Sequence, residues 1–205
     1  MDEGSRKDIV VIGASAGGLQ ALRTLVGRLP EEFPGSIFIV LHTAASSPGI
    51  LASILERSGA LPAVTVHARE SIRGGTIYVA APDCHLCIEQ DTVVATKGPK
   101  ENRFRPAVDP LFRSAAGSYG KRVIGVVLSG GLDDGTAGLW AIKQMGGTAI
   151  VQDPKTALDP SMPKSALAHV NVDHCVPLVD IAELLVRLNR ESSDASPLAH
   201  AGGRP

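Results

Sequence analysis

The sequence has 205 residues, with 20 Lys and Arg balanced by 21 Asp and Glu, and it has no basic run that could follow a nucleic-acid backbone. Its 3 cysteines do not make a disulfide framework, the charged start lacks a signal-peptide pattern, and no apolar run approaches the roughly 20 residues of a membrane span. These features argue against nucleic-acid binding and direct membrane insertion, and we expect a cytoplasmic protein.

Apolar residues recur along the chain with the periods of both strands and helices. Strands are predicted at residues 9–12, 37–41, 64–67, 76–80, 85–89, 92–96, 122–129, 148–152 and 172–175. Helices are predicted at residues 17–28, 48–58, 109–119, 136–145, 163–169 and 179–190. Hairpins are expected around Asp83 and Asp91, and Trp140 is expected in the core because it fits the apolar stripe of its helix.

Apolar strands that alternate with amphipathic helices are typical of a mainly parallel sheet that is covered on both faces. We therefore predict an α/β fold, in which residues 8–190 form a single doubly wound domain with helices on both faces and a hairpin excursion. Residues 191–205 are rich in Ser, Ala, Gly and Pro without periodicity, so a disordered tail is predicted there.

Ser15 stands in a glycine-rich turn between the first predicted strand and the first predicted helix. The segment 13–17 reads Gly-Ala-Ser-Ala-Gly, and this pattern in this context is typical of a nucleophile elbow. Two other interpretations are that Ser15 caps the helix and that the turn binds a dinucleotide. The dinucleotide interpretation is weakened because the second strand ends in His42, and the next acid is Glu56.

Three predicted strands are followed by side chains that a catalytic triad requires. Ser15 and His42 follow the first two strands, and Asp133 and Asp134 follow a later one. Ligands of open α/β sheets bind outside the carboxyl ends of the strands, so these side chains are expected to share a crevice. They could act as nucleophile, base and orienting acid, although either aspartate could instead cap a helix. The chain order differs from the Ser, acid, His order of α/β-hydrolases.

Several segments resemble motifs of the chemotaxis protein-glutamate methylesterases, over about residues 8–189. The strongest are segment 12–18 (Ile-Gly-Ala-Ser-Ala-Gly-Gly), segment 41–42 (Leu-His), segment 102–112 (Asn-Arg-Phe-Arg-Pro-Ala-Val-Asp-Pro-Leu-Phe) and segment 128–135 (Leu-Ser-Gly-Gly-Leu-Asp-Asp-Gly). Segments 80–82 (Ala-Ala-Pro) and 162–163 (Met-Pro) match as well. The resemblance implies that Ser15 is the nucleophile, His42 the base and Asp134, rather than Asp133, the acid.

The reaction implied by the resemblance is hydrolysis of a γ-glutamyl methyl ester on a helical segment of a receptor, with release of methanol. Some members of the family also deamidate glutamine. The reaction proceeds through an acyl-enzyme, and it requires no cofactor and no metal. The alternatives are an amidase of this fold that acts on glutamine, and a catalytically altered module that only binds receptors or partner proteins.

Further site residues follow from position in these motifs. The backbone N–H groups of Ala16 and Gly131 are the oxyanion-hole candidates. Arg103 and Arg105 border the crevice by analogy and could contact an acidic receptor segment, or simply form a solvated loop. A receiver domain, which is typical of the family, is not expected in this sequence, so control is expected to be absent or to come from a separate receiver protein.

The sequence also departs from the usual family motifs. Ala16 replaces Thr, Leu41 replaces Gln, Phe104 stands where His is frequent, and segment 131–132 (Gly-Leu) replaces Met-Gly. The last change is expected to reshape the substrate groove. A redox or metal role is not expected for the C-x-x-C segment 84–87, because residues three apart in a strand point to opposite faces.

Overall fold

A computed structural model describes residues 7–194, with side chains to Glu191, so residues 195–205 of the predicted tail lie outside the described residues. The strands are β1 (Ile9–Ala14), β2 (Ser36–Leu41), β3 (Ala63–Val66), β4 (Arg69–Ser71), β5 (Ile77–Ala80), β6 (His85–Glu89), β7 (Thr92–Thr96), β8 (Val123–Val127), β9 (Thr148–Gln152) and β10 (His174–Val176). The α-helices are α1 (Gly18–Val26), α2 (Leu51–Glu56), α3 (Val108–Tyr119), α4 (Thr136–Gln144), α5 (Ser161–His169) and α6 (Ile181–Asp194).

Seven strands form one parallel sheet in the order β10-β9-β8-β1-β2-β5-β3. Successive side chains of the central strand β1 point to opposite faces, so each face of the sheet has its own core. Val10 and Ile12 pack with α1, α2 and α6, whereas Ile9 and Val11 pack with α3, α4 and α5. This arrangement confirms the predicted α/β fold with helices on both faces.

The remaining strands form a small antiparallel sheet in the order β4-β7-β6. The hairpin predicted around Asp91 is confirmed, since β6 pairs antiparallel with β7. The hairpin predicted around Asp83 is wrong, because β5 pairs with β2 and β3 in the large sheet while β6 belongs to the small one. Strand β4 was not predicted, because its three residues are mostly exposed and have no apolar alternation.

Helix boundaries differ from the prediction by three residues or more in two places. Helix α2 begins at Leu51 rather than residue 48, because Gly49 has a left-handed φ of 69°. Helix α6 continues to Asp194, so the first four residues assigned to the tail are helical in the structure. The core assignment of Trp140 is wrong, since 53% of this residue is exposed on the outer side of α4.

Strands β8, β1 and β2 are neighbours at the centre of the parallel sheet. The loops that follow their carboxyl ends carry the side chains expected to share a crevice, so the topology brings distant segments to one edge. None of the helices in the described part of the chain has the length and apolar composition that crossing a bilayer would require.

Candidate active site

Ser15 follows β1 directly and lies in a tight turn that is held by backbone hydrogen bonds. Its N–H donates to the carbonyl of Ser129 at 2.9 Å, and its own carbonyl accepts from the N–H of Gly18 at 2.8 Å. Gly17 has a φ of 75°, a conformation that glycine adopts readily. Gly17 is also the N-cap of α1, which no side chain caps, so the interpretation of Ser15 as the helix cap is wrong.

The loop after β8 packs against this turn. A Cβ atom added to Gly130 would lie 2.8 Å from the Cβ atom of Ser15, so only glycine allows the two backbones to approach this closely. The Ser129 hydroxyl connects the two loops by donating to the carbonyl of Ala16 at 2.7 Å. The position of Ser15 therefore depends on backbone contacts and on the absence of side chains.

His42 follows β2 and contacts the aspartate that the resemblance selected. Its Nε2 atom lies 2.7 Å from Oδ2 of Asp134, and the two side chains are only 3% and 0% exposed. Asp133, in contrast, is exposed. A carboxylate only accepts hydrogen bonds, so Nε2 carries the hydrogen and Nδ1 of the neutral ring keeps a free lone pair. Nδ1 is buried and has no partner among the described residues.

Asp134 is a buried carboxylate that is surrounded by donors. The backbone N–H groups of Val108 and Asp109, at the start of α3, donate to it at 2.7 and 3.1 Å. Burial raises the pKa of Asp134, but the hydrogen bonds from His42, Val108 and Asn102 outweigh burial and lower the pKa below 3.8. Asp134 is therefore ionised at neutral pH.

Two residues of this cluster were not predicted as site residues. Nδ2 of Asn102 donates to Oδ1 of Asp134 at 2.7 Å and to Oδ2 of Asp109 at 2.8 Å. Asp109 is also buried, and its other oxygen accepts from the N–H groups of Gly135 and Gly138 at the start of α4. The pKa of Asp109 is raised, mainly because the side chain is buried. The charge of Asp134 also raises this pKa, whereas the hydrogen bond from Gly138 lowers it. Both residues lie in segment 102–112, whose motif was the signal available in the sequence.

A cleft of about 380 Å³ opens beside Ser15 and His42. The ring of Phe104 stacks on the His42 imidazole, with centroids 3.7 Å apart and an angle of 9° between the planes. The rest of the lining comes from the loop after β2 and the loop before α3, namely Thr43, Ala44, Ala45, Lys100, Arg103 and Arg105. The structure thus brings Ser15 and His42 to one cleft, with Asp134 buried behind the imidazole.

The other predicted site residues lie around this cleft with different surroundings. The N–H groups of Ala16 and Gly131 donate to no other residue in the described part of the chain. Arg103 is exposed at the rim. Arg105 also reaches the cleft, but its guanidinium donates to Asp83 at 2.6 and 3.0 Å and to the carbonyl of Gly98 at 2.8 Å.

The cysteines of the C-x-x-C segment lie away from the cleft lining. Cys84 and Cys87 are free thiols, and burial raises the pKa of Cys87, which disfavours the reactive thiolate. Across residues 7–194, no three His, Cys, Asp or Glu side chains are grouped so that they could hold a metal ion.

Comparison with known proteins relates both the fold and these segments to one family. The model of the CheB methylesterase family matches residues 10–185, a range that includes all the predicted site residues. A protein from Leptospira interrogans is 41% identical over 186 residues, which cover 90% of this chain and 96% of that protein. Protein-glutamate methylesterase/protein-glutamine glutaminase 1 of Rhodospirillum rubrum is 40% identical, and the match covers 89% of this chain and 49% of that protein.

A solved structure shows the same fold. The crystal structure of the CheB methylesterase catalytic domain of Thermotoga maritima is similar with a TM-score of 0.84 and 34% identity. The match covers 88% of this chain and 98% of that domain.

Proposed function

The chain belongs to the CheB methylesterase family, and on this basis we propose that it hydrolyses methyl esters of glutamate side chains in chemoreceptor-like proteins. One observation carries the proposal: a buried His42–Asp134 pair, joined at 2.7 Å, stands beside a cleft that is also lined by Ser15. A hydroxyl, an imidazole and a carboxylate in this arrangement are suited to acyl transfer.

The proposed reaction begins when Nδ1 of His42 takes the proton of Ser15 as its Oγ attacks the ester carbonyl. The N–H groups of Ala16 and Gly131 would donate to the oxygen that becomes negative. The imidazolium then gives its proton to the departing methoxide, and methanol leaves an acyl-enzyme. Water, deprotonated by His42, attacks this intermediate, and the proton returns to Ser15 as the glutamate is released.

Asp134 has two roles in this proposal. It holds the imidazole so that Nδ1, rather than Nε2, presents its lone pair, and its negative charge stabilises the imidazolium. The lowered pKa of Asp134 supports this role, because the carboxylate stays charged while His42 gains and loses its proton.

The proposed substrate is a cytoplasmic receptor helix, and the protein is accordingly proposed to act in the cytoplasm. Lys100 and Arg103 at the rim of the cleft would contact acidic side chains of the receptor. An apolar groove of about 250 Å³ shares Thr43 with the cleft, and its side chains Leu19 and Ile50 are 40% and 54% exposed. This groove supports a helical partner with an apolar stripe. A separate receiver protein that covers the same face is the proposed source of control.

Deamidation of glutamine is the second proposed activity, because the same steps applied to a carboxamide release ammonia instead of methanol. The name of the Rhodospirillum rubrum relative includes both activities. The two are distinguished by supplying the same receptor peptide with either a methylated glutamate or a glutamine at the modified position.

The test is to incubate the purified protein with methylated receptor peptide and to follow methanol release and peptide mass. We expect the wild type to remove the ester and a fluorophosphonate to label Ser15. Ser15→Ala should not be labelled, and its rate should be lower than that of the wild type by at least about 10³-fold. Its melting temperature should be unchanged, because the substitution removes only one hydroxyl from an intact turn. Intact esters with the wild type, or activity retained by Ser15→Ala, would refute the proposal.

A further inference from the structure

We propose that Asn102 is a positioning residue of the active site, which holds the Asp134 carboxylate in line with His42 by sharing its amide between two buried acids. The inference rests on the proposed function, since it concerns the same triad. It starts from one contact: Nδ2 of Asn102 donates to Oδ1 of Asp134 at 2.7 Å and to Oδ2 of Asp109 at 2.8 Å.

The two acids connect the beginnings of two helices in a reciprocal way. Asp134, just before α4, accepts from the N–H groups of Val108 and Asp109 in the first turn of α3. Asp109, in that same turn of α3, accepts from the N–H groups of Gly135 and Gly138 at the start of α4. Each helix therefore begins on a carboxylate carried by the other segment, and the Asn102 amide lies between the two carboxylates.

This arrangement places two carboxylates close together in a buried region, where like charges repel strongly. Both hydrogens of the Asn102 amide are needed, because each acid has one oxygen that faces it. Without the amide, Oδ1 of Asp134 would lose a donor, and the two acids would be free to move apart. Oδ2 of Asp134 would then move relative to Nε2 of His42, which it contacts at 2.7 Å.

The backbone at Asn102 is consistent with such a role. Its φ is 48°, in the left-handed region that asparagine tolerates better than most residues with a side chain. Asn102 lines a second cleft, together with Asp109, Asp133 and Trp140, and not the cleft that contains Ser15. Asn102 is thus placed to act through Asp134 rather than by touching a substrate beside Ser15.

The experiment compares Asn102→Gly and Asn102→Asp in the full chain. Glycine removes the amide without straining a left-handed backbone, and aspartate keeps the shape but brings a third carboxylate to the other two. We expect Asn102→Gly to lower kcat for a generic acyl ester about 10- to 100-fold through misalignment of the pair, with KM unchanged. Asn102→Asp should lose more activity than Asn102→Gly. Glu101→Gln is the control, since the Glu101 side chain faces Arg113 instead.

A residue that merely filled space would give the reverse order, with the isosteric Asn102→Asp close to the wild type. That order, an unchanged kcat, or a change in KM alone would overturn the proposal.

A double mutant gives an independent check: in the Asp134→Asn background, Asn102→Gly should cause little further loss, because its effect passes through Asp134. The rate at which a fluorophosphonate labels Ser15 should fall from the wild type to Asn102→Gly and further to Asn102→Asp. This measurement needs no receptor substrate. Failure of receptor demethylation with normal labelling would therefore count against the proposed function and not against this role of Asn102.

Discussion

The two sides of the cleft are built by different physical means. On the nucleophile side, Ser15 is held by backbone hydrogen bonds and by glycines that allow close approach, as at Gly17 and Gly130. On the acid side, His42 and Asp134 are buried and held by a network of side-chain and backbone donors. The nucleophile side should therefore be sensitive to added volume, and the acid side to changes in charge or in hydrogen-bond donors.

Asp134→Asn tests the acid side and should have the largest effect on the rate among the substitutions below. It keeps the shape but removes the charge that stabilises the imidazolium and fixes the ring, so kcat should fall by roughly 10⁴-fold. Asp133→Asn is the matched control, because Asp133 is the exposed neighbour. A loss with Asp133→Asn similar to that with Asp134→Asn would contradict the distinction between the two aspartates.

The stability of the wild type relative to Asp134→Asn should also depend on pH. The folded pKa of Asp134 is lowered below 3.8, so its charge stabilises the fold at higher pH, and that contribution is lost as the pH falls through the folded pKa. The melting temperature of the wild type should therefore exceed that of Asp134→Asn at pH 5–6, and the difference should shrink below about pH 3.8. Thermal melts of both proteins between pH 6 and pH 3 measure the difference, and a constant difference would contradict the prediction.

Gly130→Ala and Gly131→Ala test the nucleophile side. A methyl group at Gly130 would collide with the Sδ atom of Met162 and would lie 2.8 Å from Cβ of Ser15. At Gly131 the nearest atom is a carboxylate oxygen of Asp159 at 3.1 Å, on the end of a side chain that can move. We expect Gly130→Ala to destabilise the fold by about 1–3 kcal/mol, because the buried Met162 must shift, and to lower kcat by about 10²-fold, because Ser15 is displaced as well. Gly131→Ala keeps its N–H and should stay within about threefold of the wild-type rate. Equal rates for the two variants would contradict the steric explanation.

The difference between the two sides also explains what could be predicted from the sequence. Ser15, His42 and Asp134 each follow an apolar strand, and that local pattern can be read directly. The parallel α/β fold was predictable for the same reason. The adjacency of β8, β1 and β2 is a long-range property, and no local pattern reveals it.

Asn102 could not be predicted in this way. Its amide reaches an acid 32 residues along the chain, and its role depends on a left-handed backbone that has no signature in the surrounding residues. The prediction that Trp140 lies in the core was wrong for a related reason. An apolar stripe on a helix does not show how far the neighbouring elements extend over it. Periodicity therefore predicts elements, but not which polar side chains meet at their ends.

Of the two arginines at the cleft, Arg103 should affect substrate binding and Arg105 should affect the stability of the fold. Arg103→Ala removes an exposed cation and should raise KM for a receptor peptide about three- to tenfold with kcat and melting temperature unchanged. Arg105→Ala removes the contacts to Asp83 and Gly98 and should lower the stability by about 1 kcal/mol, which is a shift of about 2–4 °C. Arg103→Lys should recover most of the wild-type KM if charge is what matters. Identical profiles for the two alanine variants would contradict their different surroundings.

Phe104 forms the wall of the acid side, and its replacement should have a modest effect on the rate. The phenyl ring lies parallel to the His42 imidazole at a centroid distance of 3.7 Å, so it shields one face of the base from water and limits its rotation. Stacked aromatic pairs contribute about 0.5–1.5 kcal/mol, so Phe104→Ala should slow ester hydrolysis by up to about tenfold.

Phe104→His, which introduces the side chain frequent in the family that this sequence resembles, keeps a flat ring at the same place. Its kcat should stay within about threefold of the wild type, because a flat ring and not its chemical identity restrains His42. Steady-state rates on a generic acyl ester measure both variants. If Phe104→His were as slow as Phe104→Ala, the apolar character of the wall, rather than its planarity, would be what the acid side requires.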